Sequence, residues 1–186
     1  MLILPGRTVA PEDAVGLLLE CHGRIRAFLT LARRIADAGG EQDEAVRDAA
    51  ARVRRYFCEA LPLHAQDEEE SIVPRLRGRE ATVDAELETM AQEHREHSGP
   101  LTRLVSACEE LTRDPARLPE LAPTVRDATE ELERHFADHL RREEAIIFPA
   151  LRRLLVPSED AALMREMRAR RGVYPDLTAG ATAAPR

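Results

Sequence analysis

The sequence predicts an all-α protein, an up-down-up-down four-helix bundle with a short extra C-terminal helix and a disordered tail. Three observations carry that expectation. The composition favours helix: Ala, Leu, Glu and Arg dominate, while aromatics reach only 3% and Trp is absent, so a core must come from aliphatic side chains. Apolar residues recur at spacings of three and four through four long segments. The breaks between those segments hold Gly and Pro and are short or moderate, as antiparallel neighbours require.

Residues 1–11 read as a lead-in, with capping chemistry in Thr8 to Asp13 and Pro11 near a first helical position. From there Val15, Leu18, Leu19, His22, Ile25, Phe28 or Leu29 and Ala32 form one stripe, expected to run to about Ala38 and to stop at Gly39-Gly40. The second helix is expected from about Glu41, with Val46, Val53, Phe57, Leu61, His64, Glu68 and Ile72 inward. Pro62 lies inside it and predicts a kink just before His64, since proline removes a backbone donor and crowds the preceding turn. Pro74 disrupts the pattern again, and Arg75 to Glu80 reads as a turn around Gly78.

The third helix, about Ala81 to Thr112, keeps heptad spacing: Leu87, His94 and Leu101 on one line, Met90, His97 and Leu104 on the other. Gly99-Pro100 predicts a kink beside the histidines. Arg113 to Pro123 holds three prolines and reads as one long connection. A fourth helix from about Thr124 carries Val125, Ala128, Leu132, His135, His139, Glu143 and Ile146 or Ile147 inward. The bundle domain is therefore placed at residues 12–156. Residues 157–186 divide into a short helix capped at Ser158 and an Ala/Thr/Gly/Pro-rich tail without periodicity.

Composition also excludes function classes. A net charge of −7 argues against a nucleic-acid binder. No apolar run approaches the roughly 20 residues of a membrane span, and MLILPG lacks the form of a signal peptide. All 27 basic residues are Arg, and Asn is absent too, which reads as codon bias rather than phosphate recognition. Cys21, Cys58 and Cys108 are an odd set without CxxC, each read as small apolar filler; a reducing cytoplasm is the expected location.

The chemistry lies in a repeat. HAQDEEESIVP, from His64, returns 75 residues later as HLRREEAIIFP, from His139. Each begins His-x-x-x-Glu, and residues four apart stack on one helical face, roughly 6 Å apart along the axis. All six histidines (His22, His64, His94, His97, His135 and His139) fall on inward stripes. A lone inward histidine is usually a core residue with one hydrogen bond. Six together with two inward glutamates are different, because two bare buried carboxylates would cost several kcal/mol each. Metal dications would supply the missing charge. Imidazole and carboxylate without thiolate suit iron, with manganese or zinc as alternatives. Glu69 and Glu144 follow the half-sites and read as solvent-facing, a supporting role behind the ligands being the other option. Tyr56 reads as packing.

These residues resemble the hemerythrin-like (HHE cation-binding) family: one His in helix 1, His-x-x-x-Glu in helix 2, Glu-His in helix 3, then His-x-x-x-Glu-Glu, an apolar pair and Phe-Pro in helix 4. Here those positions are His22, His64 with Glu68, Glu93-His94, His139 with Glu143-Glu144, and Phe148-Pro149. The resemblance covers about residues 12–155. It implies a four-helix bundle around two iron ions joined by an oxo or hydroxo bridge. His22, His64, His94 and His139 would be terminal ligands, and Glu68 and Glu143 would bridge. Oxygen carriers of the family have two His four apart in helix 3 and an Asp bridge in helix 4. This chain has Ser98, with His97 three residues after His94, and Glu143 at the bridge position. Its four His and two Glu are closer to the iron-centre-repair branch. His97 and His135 are extra, each a further ligand, a supporting residue or a proton relay. The implied activity is binding of dioxygen, nitric oxide or peroxide at an open iron position, for sensing, storage, detoxification or iron handling. The alternatives are a di-iron peroxidase or nitric-oxide reductase, and a zinc-bound or metal-free interaction module docking through Arg165 to Arg171.

Overall fold

The computed structural model describes residues 11–38 and 43–172, and no strand occurs among them. Five helical stretches account for almost all of it: α1 (Ala14–Asp37), α2 (residues 43–76), α3 (Ala81–Arg113), α4 (residues 118–154) and α5 (Pro157–Arg170). The lead-in, the Gly39-Gly40 stop and the tail beyond Gly172 lie outside the described residues.

Each helix starts and stops for a local reason. Asp13 caps α1, its carboxylate accepting the Gly16 N–H at 2.7 Å. Gly78 takes a positive φ of 79° in the turn between α2 and α3, a conformation that disfavours any side chain. The long connection expected over Arg113 to Pro123 is much shorter. Asp114 caps a single 3-10 turn, Pro115–Arg117, and α4 already begins at Leu118. Pro119 falls in the first turn, where its missing N–H has no intrahelical partner to lose. Helix α3 runs unbroken through Pro100. At α5 the first helical residue is Pro157, and the Val156 N–H donates to Glu159 at 3.0 Å. Ser158 is thus inside the first turn rather than the cap.

Around Pro62 and Pro74, α2 has wide π turns. Leu61 N–H reaches back five residues to the Tyr56 carbonyl, just before Pro62. Val73 does the same to Glu68 before Pro74, and in α4 Phe148 does so to Glu143 before Pro149. The reason is partly geometric. His64, Glu68, Ile72 and Leu76 are four apart and all buried, as are His139, Glu143, Ile147 and Leu151. At about 100° per residue, each step of four drifts about 40° round an α-helix. The wider turn cancels that drift and keeps the whole run facing inward.

The interior is two apolar clusters with a polar layer between them. One gathers Ile25, Leu29, Val53, Phe57, Leu104, Leu132 and Leu140 among others. The other gathers Leu18, Ile72, Leu87, Met90, Ile147 and Leu151, closed by Leu163, Met164 and Met167 of α5. Helix α1 packs on α4 and α2, and α3 packs on both of those as well. His22 sits between Leu18 and Ile25, and His64 between Leu61 and Ile72, so the histidines fall at the seam of the two clusters.

Candidate metal centre

One helix contributes each of four histidines. His22 comes from α1, His64 from α2, His94 from α3 and His139 from α4. The two carboxylates, Glu68 and Glu143, come from the π turns of α2 and α4. His22, His64, Glu68 and Glu143 form one group whose donor atoms all lie within 4.8 Å; Glu68, His94, His139 and Glu143 form a second. Both carboxylates belong to both groups, one oxygen to each. Glu68 places Oε1 3.0 Å from His64 Nε2 and Oε2 3.1 Å from His94 Nε2. Glu143 places Oε2 3.0 Å from His22 Nε2 and Oε1 3.2 Å from His139 Nε2.

Burial is nearly complete. His22, His64, Glu68, His139 and Glu143 are at most 3% exposed, while His94 is partly exposed. Among the described residues, both Glu68 oxygens, both Glu143 oxygens and the Nε2 atoms of His22 and His64 have no hydrogen-bond partner. Buried polar atoms left like this each cost about 1–3 kcal/mol, so their convergence needs a compensating ligand. Metal cations fit the donor set: each group offers two imidazole nitrogens and two carboxylate oxygens.

Electrostatics is consistent with that need. Burial and the neighbouring Glu143 carboxylate push the Glu68 carboxyl well above its usual range. Burial acts on Glu143 too, but the surrounding imidazoles of His22, His139 and His64 outweigh it and hold that carboxyl low. Burial depresses His64 to about 3, which keeps its imidazole neutral and able to donate a lone pair. At His94 burial is overridden by Glu68 and Glu69, which lift it to about 9.

Behind the histidines stand carboxylates that fix their rings. His22 Nδ1 meets Glu144 at 2.8 Å, His94 Nδ1 meets Glu69 at 2.8 Å and His139 Nδ1 meets Glu93 at 2.9 Å. Each pair leaves Nε2 aimed at the centre, the arrangement that orients metal-ligating imidazoles. Glu69 and Glu144 are therefore not idle solvent-facing residues, because each reaches a histidine on a neighbouring helix. The sequence motif marks Glu93 only as the residue before His94. The signal that could have found it is its place one turn before His97 on the face towards α4. Arg142 pairs with both Glu93 and Glu86, holding that corner. Of the four, His64 Nδ1 has no partner among the described residues.

His97 and His135 stand outside both groups. Their rings are 5.7 Å apart, and His97 lies edge-on to His139 at 5.2 Å. Tyr56 stacks on Phe28 at 4.1 Å, in the apolar cluster. Cys21 and Cys108 are buried, but Cys58 is exposed and fills no core space, because the π turn at Tyr56–Ala60 carries it to the surface.

The hemerythrin HHE cation binding domain matches residues 13–151 of the chain, which spans α1 to most of α4 and includes every donor named above. No curated protein was found to match it.

Proposed function

This chain belongs to the hemerythrin HHE cation binding domain family, and on that premise we propose that it is a di-iron protein that binds dioxygen, nitric oxide or peroxide. The observation that carries the reading is the pair of four-donor groups sharing both carboxylates. One iron would take His22 and His64 with one oxygen each of Glu68 and Glu143; the other would take His94 and His139 with the remaining two oxygens. Iron prefers six ligands, so four protein donors per metal leave positions for small molecules, and redox capacity comes with the metal. Manganese or zinc would fit the same donors less well matched to that chemistry.

The protein's own share is geometry and exclusion. Helices α1 to α4, taken as an up-down-up-down bundle, bring one histidine each to the seam. Glu144, Glu69 and Glu93 fix three imidazoles by hydrogen bonds, and the apolar clusters on either side keep bulk water from the centre. The role would be sensing, storage, detoxification or iron handling, in the reducing cytoplasm where the three free cysteines stay reduced. The test is metal content together with the visible spectrum of purified protein before and after dioxygen, nitric oxide or peroxide. Two irons per chain and a ligand-dependent spectrum are expected. Near-zero iron from iron-replete cells would refute the reading.

A further inference from the structure

A half-open cavity of about 470 Å³ lies between α3 and α4, with Glu93, His97, Arg134, His135, Asp138 and Arg142 in its wall. It is separate from the donor groups but meets them at two points. Glu93 hydrogen-bonds His139 Nδ1 at 2.9 Å, and the His97 ring lies 5.2 Å from His139 and 6.4 Å from His94. His97 is 3% exposed and makes no side-chain hydrogen bond among the described residues. His135 Nδ1 is likewise buried without a partner. Two unpartnered imidazoles facing one cavity are donors and acceptors awaiting a polar guest.

The two halves of the centre differ in how they reach solvent. His22 and His64 are sealed, with Phe148 against His22 at 5.0 Å and the apolar cluster of Leu18, Ile72 and Ile147 beyond. The His94 and His139 half lies behind the cavity-wall residues Glu93 and His97, and His94 is itself partly exposed.

We infer that the α3–α4 cavity is the entry port for small hydrogen-bonding solutes to the His94/His139 half of the centre, with His97 as the positioning residue at its inner end. The inference rests on the metal reading above. A wall of imidazoles, guanidiniums and carboxylates favours a polar solute, which exchanges its water hydrogen bonds for those of His135 and then His97. Phe136, 4.3 Å from the His97 ring, backs that imidazole and restricts its swing.

The experiment plugs the port chemically. In a Cys58→Ser background, which removes the exposed thiol, Ala137→Cys is introduced at the cavity wall and labelled with a bulky maleimide. Thr124→Cys, exposed on the same helix and remote from the cavity, receives the same label as control. Azide, a general ligand of ferric iron, is the probe, and its binding rate is followed by stopped-flow absorbance with iron content and circular dichroism measured alongside. The label at Ala137→Cys is expected to slow azide binding by about tenfold or more with iron and helix content unchanged, and the Thr124→Cys label to leave the rate alone. His97→Leu, which keeps bulk and removes both nitrogens, is expected to slow azide binding while preserving its stoichiometry. An unchanged azide rate in iron-loaded, labelled Ala137→Cys protein overturns the port and leaves the metal reading standing. Protein that holds no iron overturns both.

Discussion

Glu144 accepts a hydrogen bond from His22 Nδ1 across the α1–α4 interface, and Glu69 accepts the same bond from His94 across the α2–α3 interface. The two pairs are related by the internal repeat. In each Glu-Glu pair the first carboxylate joins both donor groups, and the second holds a histidine on the neighbouring helix. Arg26 also reaches Glu144 at 2.8 Å, and with His22 it outweighs partial burial and holds the Glu144 carboxyl below its usual range. An ionised Glu144 strengthens the imidazole as a ligand.

Glu144→Gln is therefore expected to lower iron affinity by roughly 10–100-fold while helix content is kept. Glu69→Gln should act less strongly, because Glu69 is 52% exposed against 31% for Glu144 and water can replace it more readily. Competition with a ferrous chelator measures both. Equal affinity in wild type and Glu144→Gln would refute the supporting role.

How much of this was legible in the sequence depends on the type of signal. Helical periodicity carries phase, so His22, His64, His94 and His139 were identifiable as inward residues on separate helices, and the 75-residue repeat tied Glu68 to Glu143. Phase fails where spacing departs from 3.6. The strict fours from His64 to Leu76 and from His139 to Leu151 needed π turns, and proline alone suggested only a kink. Contacts between helices were out of reach for the same reason. Nothing local says that Glu69 meets His94 rather than solvent, since that bond depends on how α2 and α3 are juxtaposed. Prolines misled in the other direction at Pro115 and Pro119, where helix starts tolerate them.

Glu68 sets function against stability. Metal-free, its carboxyl is buried and faces a second carboxylate, and its pKa is pushed well up for those two reasons, against the pull of His94. Glu68→Leu should then raise the stability of metal-free protein by about 1–3 kcal/mol and abolish binding of at least one iron. Urea unfolding of both metal-free proteins, with iron content measured in parallel, checks the pair of effects. A destabilised metal-free variant would show that the carboxyl has partners there.

Asp67, the neighbour of Glu68, faces away from the centre towards α5. It is fully buried and pairs with Arg170 at 2.9 Å and Arg171 at 2.6 Å. Arg170 also donates to Ser71 Oγ at 2.8 Å, so the end of α5 is bolted to the π turn that carries Glu68. Removing the buried carboxylate strands two guanidiniums. Because both arginines are partly exposed, Asp67→Ala is expected to cost roughly 2–3 kcal/mol, below the value for a sealed pair. Denaturant unfolding measures it, and a loss under about 0.5 kcal/mol would mean that α5 contributes little through these contacts.

Asp13 offers a pH signature far from the metal ligands. It caps α1 and also accepts from Arg152 Nε of α4 at 2.9 Å. Partial burial raises its pKa, but the Arg152 and Gly16 hydrogen bonds win and the folded value lies below 3.8. A depressed folded value means that the carboxylate stabilises the fold above the unfolded pKa, and that the contribution fades as pH falls through the folded one. Asp13→Ala in metal-free protein should lose about 1 kcal/mol at neutral pH, the usual worth of a cap. Asp13→Asn keeps the cap acceptor and loses only the charge, so its smaller deficit should shrink as pH drops below 3.8. Urea midpoints of the three proteins from neutral to acid pH test the sign. A deficit of Asp13→Asn that grew on acidification would contradict it.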